Sequence, residues 1–246
     1  MQINFTWYSQ SGSNTCDNRD FCGIKPCQEY NLYIIADGTT NSPNSGKFAK
    51  ELVKNLFQSE IINPTKDALI HCMRLIQKKL QLKYASESTS FLLVILYPNG
   101  QLITFHSGDC LIGKVNKNDQ IDWLISPHTL ANATRTKCHH DLAKDPDRNY
   151  LTRSFRGRRF IEPEFNVHKI SPSDQVLLAS DGFWAGLSPK AQSELIQRKK
   201  IPANICDDIS YLLLNCPIKK LNTSEYNSDN LLIFEPDKMG EKRESK

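Results

Sequence analysis

The chain has 246 residues and a formal net charge of +4. That length holds one large domain with a sizeable core, and so small a positive charge makes no case for nucleic acid as a partner. The longest unbroken apolar run, Phe91 to Tyr97, falls far short of the about 20 residues a membrane helix takes. The stretch Met1 to Trp7 lacks a basic region followed by an apolar one, so no signal peptide is expected and the cytoplasm is the expected compartment. Eight cysteines are scattered without a Cys-x-x-Cys pair. That spacing argues against a zinc framework and for free thiols in a reducing compartment.

A strand is expected over Ile3 to Tyr8, then a polar loop carrying Asp17, Asn18, Arg19 and Asp20. Leu32 to Ala36 reads as an apolar strand running into Asp37-Gly38, followed by the small-residue loop Thr39 to Gly46. Helical spacing of apolar residues begins near Lys47 (Phe48, Leu52, Val53, Leu56). It resumes after Pro64-Thr65 with Ala68, Leu69, Cys72, Leu75, Ile76 and Leu80. Asn99-Gly100 between two apolar runs is a hairpin signal, and strands continue through Leu111 to Val115 and Ile121 to Ile125. Residues 127–160 are polar and irregular, with Arg148, Arg153, Arg156, Arg158 and Arg159 crowded together. That cluster reads as a solvated surface, and His139-His140 within the segment reads as solvent-exposed. His106 and His128 read as structural. Further strands are expected at Glu164 to Ile170 and Val176 to Ala179. Ser188-Pro189 should cap a helix through Ile196, and another helix is expected from Ala203 to Leu214. A last strand, Leu231 to Phe234, closes residues 1–236 as a single domain, and the charged tail 237–246 reads as disordered. The order of elements indicates an α+β sandwich with sheets inside and helices outside.

One local grammar recurs. An apolar strand runs into Ser180-Asp181-Gly182, another into Asp37-Gly38, and a third into Ser107-Gly108-Asp109. A fourth strand is preceded by Ser228-Asp229-Asn230. A buried carboxylate is costly unless a cation or several donors neutralise it, so carboxylates converging at one sheet edge imply a shared cation. Hard oxygen ligands of this kind suit Mg²⁺ or Mn²⁺. The chain shows neither a Cys-x5-Arg loop nor a Gly-x-Ser-x-Gly turn that would supply a covalent nucleophile. Taken singly, each Asp could equally be a turn or cap residue.

Seven segments now fall in one order: Asn18-Arg19-Asp20, Ala36-Asp37-Gly38, Glu87-Ser88-Thr89, Ser107-Gly108-Asp109-Cys110, Leu151-Thr152-Arg153, Leu178 to Trp184, and Ser228-Asp229-Asn230. In that set the chain resembles the metal-dependent protein phosphatases of type 2C, the PPM superfamily, in a divergent bacterial form. The resemblance implies a central antiparallel β-sandwich flanked by helix pairs. It implies a Ser/Thr phosphoprotein phosphatase that uses two Mg²⁺ or Mn²⁺ ions, with a third, weaker site in bacterial members. A metal-bridging hydroxide would attack the phosphoryl group in line. Asp37 would bridge the two ions and the Gly38 carbonyl would bind one of them, while Asp181 and Asp229 would complete the first ion's shell. Asp20 would support the site directly or through water, and Asp109 would help hold the third ion. The partner would be a phosphoserine or phosphothreonine protein met by a monomer, with neither nucleic acid nor membrane involved.

Two departures stand out. The family has Asn-Glu-Asp where this chain has Asn18-Arg19-Asp20, and its phosphate-binding arginine falls where this chain has Thr15-Cys16-Asp17. Either Arg19 takes over phosphate binding as a catalytic residue or the site is weakened. Two rival readings follow: a catalytically impaired pseudophosphatase that binds a phosphoprotein or partner, and a basic RNA-binding module resting on the arginine cluster alone.

Overall fold

A computed structural model describes residues 4–59, 64–171, 173–199, 203, 205–215 and 229–234. The chain opens with three strands, β1 (Asn4–Gln10), β2 (Asp20–Pro26) and β3 (Asn31–Gly38). Two long helices follow, α1 (Ser45–Gln58) and α2 (Lys66–Tyr84). Next come β4 (Ser88–Leu96), β5 (Gln101–Ser107), β6 (Leu111–Val115) and β7 (Ile121–Trp123). A lobe of short pieces then carries α3 (His139–Lys144), a 3₁₀ turn at Pro146–Asn149 and β8 (Phe155–Arg156). The last elements are β9 (Glu164–Lys169), β10 (Gln175–Ala179), α4 (Asp181–Trp184), α5 (Pro189–Ile196), β11 (Ile209–Asn215) and β12 (Leu231–Ile233).

These form two sheets. One runs β1-β11-β10-β6-β7, and the other runs β12-β2-β3-β4-β5-β9 with β8 beside β4. Strand alternation explains why both are buried. On β3, Tyr33 and Ile35 enter the core between the sheets, while Leu32, Ile34 and Ala36 face the core under α1 and α2. On β4, Leu92, Val94 and Leu96 take the first side, and Phe91, Leu93 and Ile95 the second. A strand covered on both faces needs apolar residues at every position, and each buried Leu or Ile stabilises the fold by about 1.5–3 kcal/mol. The mixed α+β sandwich expected from the sequence is the observed architecture.

The helix starts follow local chemistry. Thr65 accepts from the Ala68 N–H at the head of α2, and Ser188 accepts from the Ala191 N–H ahead of Pro189 in α5. Gly100, at φ 82°, closes the β4–β5 hairpin.

Two elements differ from expectation. The segment expected as a helix from Ala203 to Leu214 contains β11, which pairs with both β1 and β10. Every residue from Ile209 to Leu214 is buried, so the strand shows no alternation, and periodicity alone cannot separate such a run from a buried helix. The polar loop expected to run to residue 30 contains β2, antiparallel to β3 and parallel to β12. Gly23, Lys25 and Pro26 disguise it. A Cβ at Gly23 would lie 2.6 Å from Val53 Cγ1 and 2.8 Å from Phe57 Cε2, so the glycine lets α1 pack directly on the strand. Ser228, Cys216 and the tail 237–246 lie outside the described residues.

Candidate metal centre

The sheet registers bring the aspartate-bearing strand ends together. Asp20 at the start of β2 lies opposite Asp37 at the end of β3, and Asp37 lies opposite Ser90 on β4. Ala179, the last residue of β10, pairs with both Leu111 and Tyr211. That register sets Asp181 beside the Asp109 turn and the start of β11. Asp37, Asp109, Asp181 and Asp207 line one pocket of about 340 Å³, with Asn14, Ser90, Asn149 and Leu151 among its other walls.

Hydrogen bonds hold this edge in place. Ser90 Oγ accepts from the backbone N–H of both Asp109 and Cys110 at 2.8 Å. The turn closes through Gly108 at φ 113°, where a Cβ would lie 2.4 Å from Ser90 Oγ. Thr89 Oγ1 donates to the Asp37 carbonyl (2.7 Å), and the Trp184 indole N–H donates to the Asp109 carbonyl (2.8 Å). Ser180 Oγ donates to Asp20 Oδ2 (2.8 Å) while accepting from the Ser210 N–H (3.1 Å).

The carboxylates have far less compensation than the backbone around them. Burial, then repulsion from Asp208, pushes Asp20 well above the usual carboxylate range. Burial, then Asp20, Asp181 and Asp109, does the same to Asp37. Asp109 is pushed up to about 8 by burial and Asp181, and Asp207 to about 6 by burial and Asp181. Asp20 is fully buried, and its Oδ1 has no hydrogen-bond partner among the described residues. Burying an unpaired charge costs several kcal/mol even after relaxation, so these acids take up protons or cations. An all-oxygen set with an orphaned carboxylate oxygen behind it fits Mg²⁺ or Mn²⁺.

Among the described residues, one cation reaches the cluster. Arg148, on the 3₁₀ turn of the lobe, donates from Nη1 to Asp181 Oδ2 at 3.0 Å.

A second set of ligand-type groups lies on the far side of the Gly108 turn. His106, His128 and Glu164 bring ligand atoms within 4.8 Å of one another, and the two imidazoles stack at 4.3 Å. Each already has protein partners. His128 Nδ1 accepts from the Gly108 N–H, so its proton sits on Nε2 facing Glu164 Oε2. Glu164 also receives Arg135 and lies 3.9 Å from Arg153. Burial raises the Glu164 carboxyl, but hydrogen bonds from Arg135 and His128 outweigh it and hold it at about 2. Burial, then His128, lowers His106 to about 3. Burial lowers both histidines, so the imidazoles are held in the neutral form.

No family model matches the chain, and no curated protein sequence matches it. Solved structures do. Serine/threonine phosphatase Stp1 from Staphylococcus aureus matches with a TM-score of 0.72 at 16% identity, over 87% of this chain and 95% of its own. MsPP, a PPM Ser-Thr phosphatase from Mycobacterium smegmatis in complex with cacodylate, matches at 0.69 and 19%, over 88% of this chain and 100% of its own. The catalytic domain of the phosphatase PstP, in complex with two manganese ions, matches at 0.64 and 15%, over 87% of this chain and 97% of its own. This chain has the PPM phosphatase fold.

Within that PPM fold, the residues singled out in the sequence divide. Asp37, Asp109 and Asp181 line the common pocket. Asp20 lies behind it, buried and coupled by charge to Asp37, and Gly38 donates its N–H to the Arg19 carbonyl at the same edge. Asp229 is exposed in the turn before β12 and does not line the pocket. Its neighbour Asn230 is buried and donates to the Asp20 carbonyl (2.9 Å).

Arg19 does not turn to the pocket. Its Nη1 donates to the carbonyls of Thr39 (3.1 Å), Thr40 (2.9 Å) and Ser42 (2.7 Å), and its Nε to Asp17 (3.1 Å). The guanidinium ties down the loop between β3 and α1, in the place where the sequence allowed a phosphate-binding role. His139 is not free in solvent either: it packs against Trp123 and Trp184 and meets the Ile125 carbonyl at 3.0 Å.

Asp207 in the pocket lining and Arg148 on Asp181 are the residues that the sequence did not single out. Asp207-Asp208 stands directly before the apolar run of β11, the same strand-end pattern as the other aspartates, and reading that run as a helix concealed it. Arg148 carried no local signal that separated it from its neighbouring arginines.

Proposed function

We propose that the chain is a divergent PPM-family Ser/Thr phosphoprotein phosphatase dependent on Mg²⁺ or Mn²⁺. The observation that carries this reading is a set of buried, under-compensated aspartates at the sandwich edge of a PPM phosphatase fold. Asp37, the Gly38 carbonyl, Asp109 and Asp181 would hold the ions, with Asp20 behind them. Asp207 would take the place that the resemblance assigns to the exposed Asp229. When bound, the ions supply Lewis acidity to a water and to the phosphoryl oxygens.

The chain's own groups do the rest. Ser90, Thr89 and Trp184 fix the backbone on which Asp109 and Asp37 sit. Ser180 orients Asp20. Asn149 and Leu151 of the lobe wall the pocket, narrowing the water that reaches it. The substrate is a phosphoserine or phosphothreonine side chain, which enters the pocket from the protein surface. We take residues 1–236 as one domain acting as a cytoplasmic monomer. Among the described residues no helix is long and apolar enough to cross a membrane.

One observation favours a second reading. Arg19, the residue expected to bind phosphate, is engaged by its own loop, which suits a pseudophosphatase that holds a phosphoprotein without turnover. Hydrolysis of p-nitrophenyl phosphate and of a phosphothreonine peptide separates the two. Assays with Mn²⁺, Mg²⁺ or EDTA should show metal-dependent turnover that collapses in Asp181→Asn. Folded protein with no turnover under any metal would leave the binding reading.

A further inference from the structure

A PPM-fold phosphatase still needs a cation for the phosphoryl oxygens, and Arg19 is committed elsewhere. Its guanidinium meets three loop carbonyls and Asp17, and the residue is buried. The arginines of the lobe differ sharply from one another. Arg153 lies 3.9 Å from Glu164, and Arg156 donates to Ser154 Oγ (3.0 Å). Arg158 and Arg159 are exposed. Arg148 alone among them is bonded to a pocket carboxylate, and its neighbour Asn149 lines the same pocket.

Its setting is built. Asp145 caps the 3₁₀ turn by accepting from the Asp147 N–H (2.9 Å), and the Leu130 N–H donates to the Tyr150 carbonyl (2.8 Å), closing the lobe behind it. The side chain is 20% exposed, so its charge is only partly screened. A guanidinium has five N–H donors in a planar fork. The bond to Asp181 uses Nη1, and among the described residues the other donors are left for phosphoryl oxygens, which that fork matches bidentately.

The geometry points to Arg148 as the phosphoryl-binding arginine of this chain, held on Asp181 until a divalent cation takes that carboxylate. This inference rests on the phosphatase reading for its substrate and on the ion pair for its residue. Arg148 and a cation compete for Asp181, so metal binding releases the guanidinium into the pocket, where a phosphoryl dianion takes it up. No bond is made or broken in this exchange. Metal and phosphate are thereby coupled, each favouring the other's binding by the same factor.

The test uses the full chain, with Mn²⁺ alone and then inorganic phosphate as probes in calorimetry. It compares wild type, Arg148→Ala, Arg148→Lys and the exposed neighbour variant Arg158→Ala, with folding checked by circular dichroism. Arg148→Ala should bind Mn²⁺ about fivefold more tightly, because Asp181 is no longer paired. Mn²⁺-saturated Arg148→Ala should bind inorganic phosphate about tenfold more weakly. Arg148→Lys should keep part of the phosphate affinity as a point charge, and Arg158→Ala should match wild type in both titrations. In turnover, Arg148→Ala should raise KM for p-nitrophenyl phosphate more than it lowers kcat. Unchanged phosphate affinity in Arg148→Ala overturns the inference, whatever happens to Mn²⁺. An equal loss in Arg158→Ala overturns it too, since a diffuse positive field would then suffice. A wild type that shows the titration pattern without turnover would uphold Arg148 while removing the phosphatase reading.

Discussion

Two charged clusters flank the Gly108 turn, and they solve opposite problems. On one side Glu164 is surrounded by His128, Arg135 and Arg153 and is held at about 2. On the other, Asp20, Asp37, Asp109 and Asp207 are pushed upward by burial and by one another, with Arg148 reaching Asp181 alone. Both clusters contain the residue types that ligate metals, so residue type does not distinguish them. What does is whether the protein has already supplied the counter-charge. Glu164 has its cations and gains little from another, whereas among the described residues the aspartates have only Arg148, so a divalent ion would relieve their repulsion. The trio whose ligand atoms lie within 4.8 Å of one another is therefore the one already supplied with counter-charge.

The sharpest way to break this contrast is Asp37→Asn. Loss of the aspartate repelled by four other acids should lower metal-dependent turnover by about a thousandfold or more. In EDTA the same substitution should raise the melting temperature, because it removes repulsion instead of an attraction. An unchanged or lower melting temperature in EDTA would show that the aspartates are compensated in a way the structure does not contain. A smaller effect separates Asp207 from Asp229. Asp207→Asn should weaken Mn²⁺ binding by about tenfold in calorimetry, and Asp229→Asn should leave it within error. The reverse result would return Asp229 to the site.

The gentlest test is the pH profile of thermal stability. For Asp109 and Asp207 the folded values, about 8 and about 6, lie above the unfolded value of about 3.9. Their contribution is complete below pH about 3.9 and is lost as pH rises through the folded values. Metal-free protein should therefore lose several degrees of melting temperature between pH 5 and pH 8 (roughly 2–4 °C per kcal/mol for a chain of this size). Saturating Mn²⁺ should flatten that limb. Glu164 works the other way: its folded value of about 2 lies below the unfolded value of about 4.3. Its contribution is present above that value and is lost as pH falls through the folded one. Glu164→Gln should soften the acid limb alone, and an effect on the alkaline limb would mean that the two clusters are not independent.

Much of this molecule is written locally. The apolar stripes of α1 and α2, the Ser188-Pro189 start of α5, and the Asn99-Gly100 hairpin each depend on neighbours a few residues away. So do the abrupt ends of β3 and β10 at Asp37 and Asp181, which is why those aspartates could be picked out in advance. Asp109 was legible for the same reason, beside a glycine held at a φ that favours glycine.

The rest depended on partners far away in the chain. β2 is a strand because β3, β12 and α1 accept it despite Gly23 and Pro26, and β11 because β1 and β10 enclose it. Arg19 and Arg148 are the same residue type in equally polar stretches. Only the fold delivers one to the carbonyls of its own loop and the other to Asp181, 33 residues on. Asp229 and Asp207 divide likewise, one exposed at a sheet edge and the other lining the pocket. Periodicity and turn chemistry act over one or two turns of chain and are readable there. Charge compensation is a sum over everything that ends up nearby, so the tertiary structure alone decided which acids are left uncompensated and which arginine meets them.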